Sequence, residues 1–207
     1  MLFEQFYNTF QETADIGNAK IETNFDGIND DFRKCIRELG GKTFNNGLYR
    51  VFRGDQIQQA TELMKKAFPE MNDRIICFSY DWLGRNFVID LSRIEKNNPL
   101  VLLLEPGAGE AMQIPVSIID FHNDELVNYT NDALAVNFFN KWQRKMDLAI
   151  GHNQCVGYKV PLFLGGDDTI DNLGLIDLEV YISICGELRN KTKELPNGMT
   201  LGDITIN

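Results

Sequence analysis

Basic side chains are in short supply in this sequence. Its 207 residues include 20 Lys and Arg against 30 Asp and Glu, which gives a formal net charge of −10 at pH 7. A protein that binds nucleic acid neutralises phosphates with Lys and Arg, and an anionic membrane surface attracts the same residues. The net negative charge therefore argues against both partners. A basic protein partner is the better electrostatic match. An acidic surface that serves only solubility would give the same balance, and that alternative stays open.

Histidines and paired cysteines, the usual residues of zinc sites and nucleophilic catalysis, are scarce too. The two histidines, His122 and His152, have no HxxxH partner, and His122 is expected on the surface of a helix. The cysteines lack CxxC spacing and lie among apolar residues, which predicts buried free thiols in a reducing cytosol. They are Cys35, Cys77, Cys155 and Cys185. Cys155 near His152 lacks any orienting third group at a readable spacing, so we expect a binding protein and not an enzyme.

Motifs for phosphates, metals and membranes are missing as well. The glycines of EPGAGEA (105–111) have neither GxGxxG nor GK[ST] spacing, so this stretch predicts a hairpin turn. Asp167, Asp168 and Asp171 fail the spacing of a calcium loop, because counting from Asp168 puts Ile170 at the third ligand position. No apolar run approaches the roughly 18 residues of a membrane span, and the N-terminus lacks the features of a signal peptide. We therefore expect no metal, no cofactor, no membrane contact and a cytoplasmic location.

Hydrophobic periodicity predicts an α+β fold, with a mainly antiparallel central sheet flanked by helices and a mostly helical C-terminal part. Helices are predicted over 2–12, 30–39, 55–68, 118–126, 131–142 and 177–188, with Asp30 or Asp31, Asp55 and Asp177 among the N-caps. Strands are predicted over 47–52, 74–80, 85–91, 100–104 and 110–114, with a loop over 15–29. Pro115 is expected to end the last strand. In the final helix, one apolar face is expected to comprise Leu178, Tyr181, Ile184, Cys185 and Leu188.

The stretch 154–188 combines apolar residues with acids of a single sign. Between Lys159 and Arg189 there are six Asp and Glu residues and no Lys or Arg. Such a segment buries one side and presents a negative field on the other, which is either a binding surface or an ordinary solvated edge. The candidate binding residues are Asp167, Asp168, Asp171 and Asp177.

A second candidate patch lies in the turn DWLGR (81–85). Trp82 and Arg85 belong to the residue types that are favoured at the centres of protein interfaces. The alternative is a hairpin tip whose tryptophan folds back onto the sheet.

Three stretches carry a family resemblance: DRIICFSYDWLGRNFVIDLSR (73–93), LLLEPGAGEAMQIPVSIIDFHNDELV (102–127) and QCVGYKVPLFLGGDDTIDNLGLIDLEVYISICGEL (154–188). They resemble bacterial type VI secretion immunity proteins of the DNase-effector class. The resemblance implies a GAD-like α+β region over 1–114 and an immunity-type, SUKH-like C-terminal domain over 115–207, packed as one compact unit. It supplies no contact residues, so the candidates above depend on charge alone.

The function that this resemblance implies is not enzymatic. An immunity protein of this kind binds a cognate toxin in the cytoplasm and neutralises it by occlusion, without binding nucleic acid itself. A DNase is basic where it holds DNA, so an acidic protein is a suitable partner. The alternative is a small-molecule-sensing or regulatory binding module, since GAD-like regions are related to an accessory domain of tRNA-charging enzymes.

Overall fold

A seven-stranded antiparallel sheet forms the centre of the computed structural model, which describes residues 2–21 and 27–194. Its strands lie side by side in chain order: β1 Glu12–Asp15, β2 Lys42–Phe44, β3 Tyr49–Val51, β4 Ile75–Asp81, β5 Asn86–Glu95, β6 Asn98–Glu105 and β7 Glu110–Ser117. A second antiparallel sheet pairs β8 Gln154–Tyr158 with β9 Leu173–Asp177.

Helices flank the sheets and dominate the C-terminal part. They are α1 Glu4–Thr9, α2 Asp30–Leu39, α3 Ile57–Ala67, α4 Ile118–Asp120, α5 Leu126–Asn128, α6 Thr130–Leu134, α7 Val136–Met146 and α8 Leu178–Glu194. A π-helical turn, Phe121–Glu125, joins α4 to α5. This arrangement confirms the predicted α+β class. No helix within 2–21 and 27–194 is both long and apolar enough to cross a bilayer.

The interior strands are buried on both faces. All seven residues of β4 are buried, and on β6 the run from Val101 to Leu104 is at most 3% exposed. Burial on both faces explains why this stretch is continuously apolar and does not alternate, and the predicted strand is confirmed. The predicted hairpin is confirmed too, since Tyr80 pairs with Asn86 across the turn.

The two edges of the sheet differ from the prediction. Helix α1 ends at Thr9, and Glu12–Asp15 forms an edge strand where a helix end and a loop were predicted. All four β1 residues are exposed, so no alternating apolar pattern marks this strand in the sequence. At the other edge, β7 continues through Pro115 to Ser117. Proline is tolerated there because an edge strand leaves some N–H groups unpaired, and the β6–β7 register shifts at this point.

Two of the predicted helix caps are wrong. The side chain of Asn29, not of Asp30 or Asp31, accepts a hydrogen bond from Phe32 N at 3.0 Å. Asp55 does not cap α3, because its carboxylate accepts from Arg53 Nε at 2.7 Å. The third prediction is confirmed, since Asp177 Oδ1 accepts from Val180 N at 3.1 Å at the start of α8.

An aromatic cluster around His122 joins the chain's beginning to its second half. The rings of Phe3 and Phe6 each lie 5.2 Å from the His122 ring. His122 is fully buried, so its predicted surface position is wrong. Its Nδ1 lies 2.7 Å from Ile118 O and its Nε2 2.9 Å from Tyr49 Oη, and burial lowers its pKa to about 4. The division into domains at 114/115, which β7 crosses, stays a prediction.

Helix α8 packs across the small sheet and against α3. Tyr181 lies over Gly157, and Gly186 approaches Ala67 of α3 closely. Arg189 donates to Ala67 O and pairs with Glu70, which lowers the pKa of that carboxyl to about 2. The buried face includes Ile182 and not Ile184, which is 41% exposed and was wrongly predicted on it. The four cysteines are buried and free, as predicted.

Gly157 and its cross-strand partner Gly174 provide a matched test of this packing. A Cβ at position 157 would lie 2.5 Å from the Tyr181 ring, whereas one at 174 would come no closer than 3.5 Å to a flexible lysine. Gly157→Ala should therefore lower the free energy of unfolding by about 1–3 kcal/mol, the usual cost of overpacking a core. Gly174→Ala should leave it nearly unchanged. Urea denaturation of both variants is the measurement, and equal stabilities would contradict the packing.

Candidate functional site

The turn at residues 81–85 connects the large sheet, the small sheet and helix α6. Asp81 is fully buried, and Arg85, only 6% exposed, donates from Nε to Asp81 Oδ2 at 2.6 Å. Arg85 Nη2 also donates to Ala133 O at 2.8 Å, which attaches α6 to the turn. Burial raises the pKa of Asp81, while the charge of Arg85 opposes that rise. The Nε and Nη2 groups of the guanidinium are therefore engaged in structural contacts.

Trp82 occupies the core beneath this turn. Its side chain is fully buried, and its Nε1 donates to Leu134 O at 2.9 Å. Its backbone O accepts from Val156 N at 2.6 Å, which joins the small sheet to the large one. The structure thus gives Trp82 no exposed surface, contrary to its predicted place in a contact patch. The alternative, a tryptophan folded back onto the sheet, is the observed arrangement.

Above the turn lies a depression that we call the acidic cleft, with a volume of about 530 Å³. It opens where the β4–β5 and β6–β7 turns meet α7 and the segment after β8. Its lining comprises Leu83, Arg85, Glu105, Ala108, Glu110, Met112, Ala135, Phe138, Tyr158, Leu162, Phe163 and Asp168. The cleft therefore brings together one residue from each predicted patch, Arg85 and Asp168.

Three carboxylates face this cleft. Glu105 and Glu110 are direct partners across the β6–β7 hairpin, and Asp168 Oδ1 accepts from Tyr158 Oη at 2.7 Å. Burial raises the pKa of Glu105, and the charges of Asp81, Glu110 and Asp168 raise it further against the opposing effect of Arg85. Within the described part of the chain, none of the three forms an ion pair with Lys or Arg. The cleft thus carries uncompensated negative charge.

Apolar side chains form the walls between these carboxylates. Phe138, Leu162 and Phe163 are half-buried, and Met112 is 42% exposed. The wall is held in place by the hydrogen bond from Leu162 N to Gly107 O at 2.8 Å. Phe138 in turn packs edge-on against Trp82, with ring centroids 5.6 Å apart. The site therefore combines a fixed apolar surface with negative charge, an arrangement that suits an amphipathic cation.

Two larger grooves elsewhere lack this character. One, of about 670 Å³, lies between the first strands and the end of α7 and carries both Arg144 and Asp147. The other, of about 600 Å³, is lined by the basic residues Lys20, Arg33 and Arg37. Neither concentrates acids, so the acidic cleft is the better candidate for a basic partner.

The remaining predicted acids lie in different settings. Asp167 is exposed next to Asp168 in the chain. Asp171 is exposed but pairs with Lys145, which lowers its pKa, and Asp177 caps α8. Of the four acids proposed from charge, Asp171 has a basic partner and Asp177 serves as a helix cap, which leaves Asp167 and Asp168 as the candidates. No cluster of three or more His, Cys, Asp or Glu in the described ranges could hold a metal ion.

Sequence reasoning missed Glu105, Glu110 and the aromatic wall. The EPGAGEA stretch was correctly predicted as a hairpin turn, since Glu105 and Glu110 pair across it. That prediction could have revealed the two glutamates as a site, because a hairpin places its flanking residues Glu105 and Glu110 opposite each other. The wall of Phe138 and Phe163 comes from distant segments and has no local signature.

One part of the chain matches a known protein family. Residues 119–189, about a third of the sequence, match the family described as T6SS immunity protein Tdi1, C-terminal. The match supports a type VI secretion immunity protein, and such a family implies a non-enzymatic role that involves a cognate toxin. The matched segment contains Phe138, Tyr158, Leu162, Phe163 and Asp168 of the cleft.

The fold also occurs in a solved protein. The crystal structure of Atu4351 from Agrobacterium tumefaciens aligns with a TM-score of 0.62, over 89% of this chain and 88% of that one. The sequence identity is 13%, so this likeness shows a shared fold alone. No curated protein matches the chain. The GAD-like and SUKH-like relationships and the DNase class stay predictions.

The contribution of the Asp81–Arg85 ion pair to the stability of the fold can be tested by measuring the free energy of unfolding of variants. Asp81→Asn leaves a buried guanidinium without its counter-charge, and breaking such a pair typically costs about 3–5 kcal/mol. We expect a loss in this range for the single variant and a smaller loss than the sum for Asp81→Asn combined with Arg85→Met. Guanidinium denaturation measures both, with exposed Asp167→Asn as the control. Strict additivity of the two substitutions would contradict the pairing.

Proposed function

We propose that this protein binds a cognate type VI secretion toxin in the cytoplasm and neutralises it by covering a functional surface of the toxin. The observation that carries the proposal is the match of residues 119–189 to an immunity family, in the part of the chain that forms one wall of the acidic cleft. The matched segment contains Asp167 and Asp168 as well. We place the toxin-binding surface at the cleft and these two neighbouring acids.

The charge of the protein supports a basic toxin, and a DNase in particular. A nuclease is positively charged where it holds DNA, and an acidic partner can occupy that surface in place of phosphates. The net charge of −10 would also steer such a toxin towards this protein before contact. Fast capture matters because a few molecules of an active DNase suffice to damage a genome.

Occlusion needs no catalytic group in the immunity protein. The two side chains of the cleft that could act on a ligand, Arg85 and Tyr158, are already held by hydrogen bonds within the protein. Arg85 is engaged by Asp81, and Tyr158 donates to Asp168, so both are fixed by structural contacts. Their role in the proposal is to hold the cleft in shape. The three carboxylates and the apolar wall are the groups that remain for a partner.

Charge reversal at Asp167 and Asp168 tests the proposed surface. The test partner is a secreted effector whose gene adjoins this one, identified first by sequencing the locus and used in a catalytically inactive form. Asp167→Lys with Asp168→Lys should slow association with this neighbouring effector. We expect about tenfold slower association at low salt, and a smaller effect at high salt, because steering by exposed charges is screened. Stopped-flow or surface-plasmon measurements at two salt concentrations give both values.

The matched control carries the same charge change away from the cleft. Glu4 and Glu95 are exposed and lie outside the site, so Glu4→Lys with Glu95→Lys should reduce association less. Co-expression with the active effector gives the biological measurement, in which the wild-type chain should restore growth. Persistent toxicity despite soluble wild-type protein would contradict the proposed function. Equal rates for the two double variants would remove Asp167 and Asp168 from the surface.

A further inference from the structure

We propose that the acidic cleft is a receptor for one arginine or lysine side chain of the toxin, with the aliphatic stem on the aromatic wall and the cationic head between Glu105, Glu110 and Asp168. This inference rests on the proposed function and deepens it, because it names the chemistry that the partner must present. It assigns the main contacts to two glutamates of the β6–β7 hairpin.

The first argument comes from the register of the hairpin. Glu105 and Glu110 are directly opposed on adjacent antiparallel strands. Like charges in this position destabilise a sheet, and an intramolecular cation would normally compensate them. In the described chain neither glutamate has such an ion pair. The hairpin therefore retains an unfavourable interaction that an external cation would relieve.

The second argument is that both arginines near the cleft are already engaged. Arg85 is bound by Asp81 and Ala133 O and forms no ion pair with Glu105, although its charge partly opposes the effect of burial on the Glu105 pKa. Arg189 donates from Nε to Gly109 O on the far side of the hairpin turn and pairs with Glu70. Each guanidinium is fixed by a carboxylate other than Glu105 or Glu110. The compensating cation must then come from another molecule.

The third argument is the shape and lining of the cleft. Its volume of about 530 Å³ exceeds what one side chain needs, so a long side chain can enter together with part of its backbone. Phe138, Leu162 and Phe163 supply an apolar surface for the methylene groups of lysine or arginine. An aromatic wall also stacks favourably on a guanidinium. A divalent metal is a poorer occupant, since the described carboxylates form no metal-binding cluster.

The interaction can be tested with isosteric variants that remove charge but keep shape. Glu105→Gln and Glu110→Gln should each weaken binding of the catalytically inactive neighbouring effector by about tenfold or more, as expected for a close charge pair at an interface. Glu95→Gln is the matched control, because Glu95 is an exposed glutamate at the opposite end of the β5–β6 hairpin. It should leave the dissociation constant, measured by isothermal titration calorimetry, unchanged.

A second readout separates binding from folding. Because the two glutamates repel each other, Glu110→Gln should keep or raise the melting temperature of the free protein while it weakens toxin binding. A variant that only damaged the fold would lower both. If wild-type protein does not bind the effector, the proposed function fails. If it binds and both glutamine variants bind equally well, the cleft inference fails while the proposed function stands.

Two further measurements identify the source of the cation. Alanine substitution of exposed Arg and Lys residues of the effector should reveal one residue whose loss is coupled to Glu105→Gln in a double-mutant cycle. Additive effects for every such residue would overturn the proposal. A thermal shift of the free wild-type protein by L-arginine or spermidine, abolished in Glu105→Gln, would also overturn it, because the cleft would then be a site for small cations.

Discussion

The buried ion pair between Asp81 and Arg85 holds together the region on which the candidate site depends. Asp81 closes the β4–β5 turn by accepting from the N–H groups of Leu83 and Arg85, both at 3.0 Å. Arg85 extends the connection to α6, and Trp82 within the same turn bonds to Leu134 and Val156. A single turn thereby fixes the large sheet, the small sheet and the C-terminal helices in one arrangement. A buried charge without its partner is costly, so removal of either Asp81 or Arg85 would destabilise this arrangement.

The acidic cleft is a consequence of that arrangement. One side comes from the β6–β7 hairpin and the other from α7 and the segment that follows β8. Because Arg85 pairs with Asp81 in the floor, the carboxylates at the rim form no ion pair among the described residues. An overall acidic protein thus directs part of its charge into a concave, partly aromatic site. This combination suits recognition of a specific basic side chain better than a flat acidic surface would.

Local patterns predicted the interior of the fold and only part of the site. The continuously apolar strand at 100–104 and the Asp177 cap depend on neighbouring residues, so periodicity and capping rules found them. Strand β1 is fully exposed and held by backbone pairing, which leaves no pattern to find. The ion pair between Asp171 and Lys145 joins residues that are 26 positions apart, so the acid appeared unpaired in the sequence. His122 was misplaced, and Trp82 was left between a contact patch and the core, because tertiary packing, and not residue type, decides burial.

The central claim is that a toxin binds at the acidic cleft, and hydrogen exchange of the complex tests it most directly. Amides at residues 107–112 and 162–168 line or border the cleft and should exchange more slowly when the neighbouring effector is bound. Amides of β1 and of residues 143–150, which border the groove of about 670 Å³, should exchange at the same rate in the free and bound protein. Protection confined to that groove, with none at 107–112 or 162–168, would contradict the account.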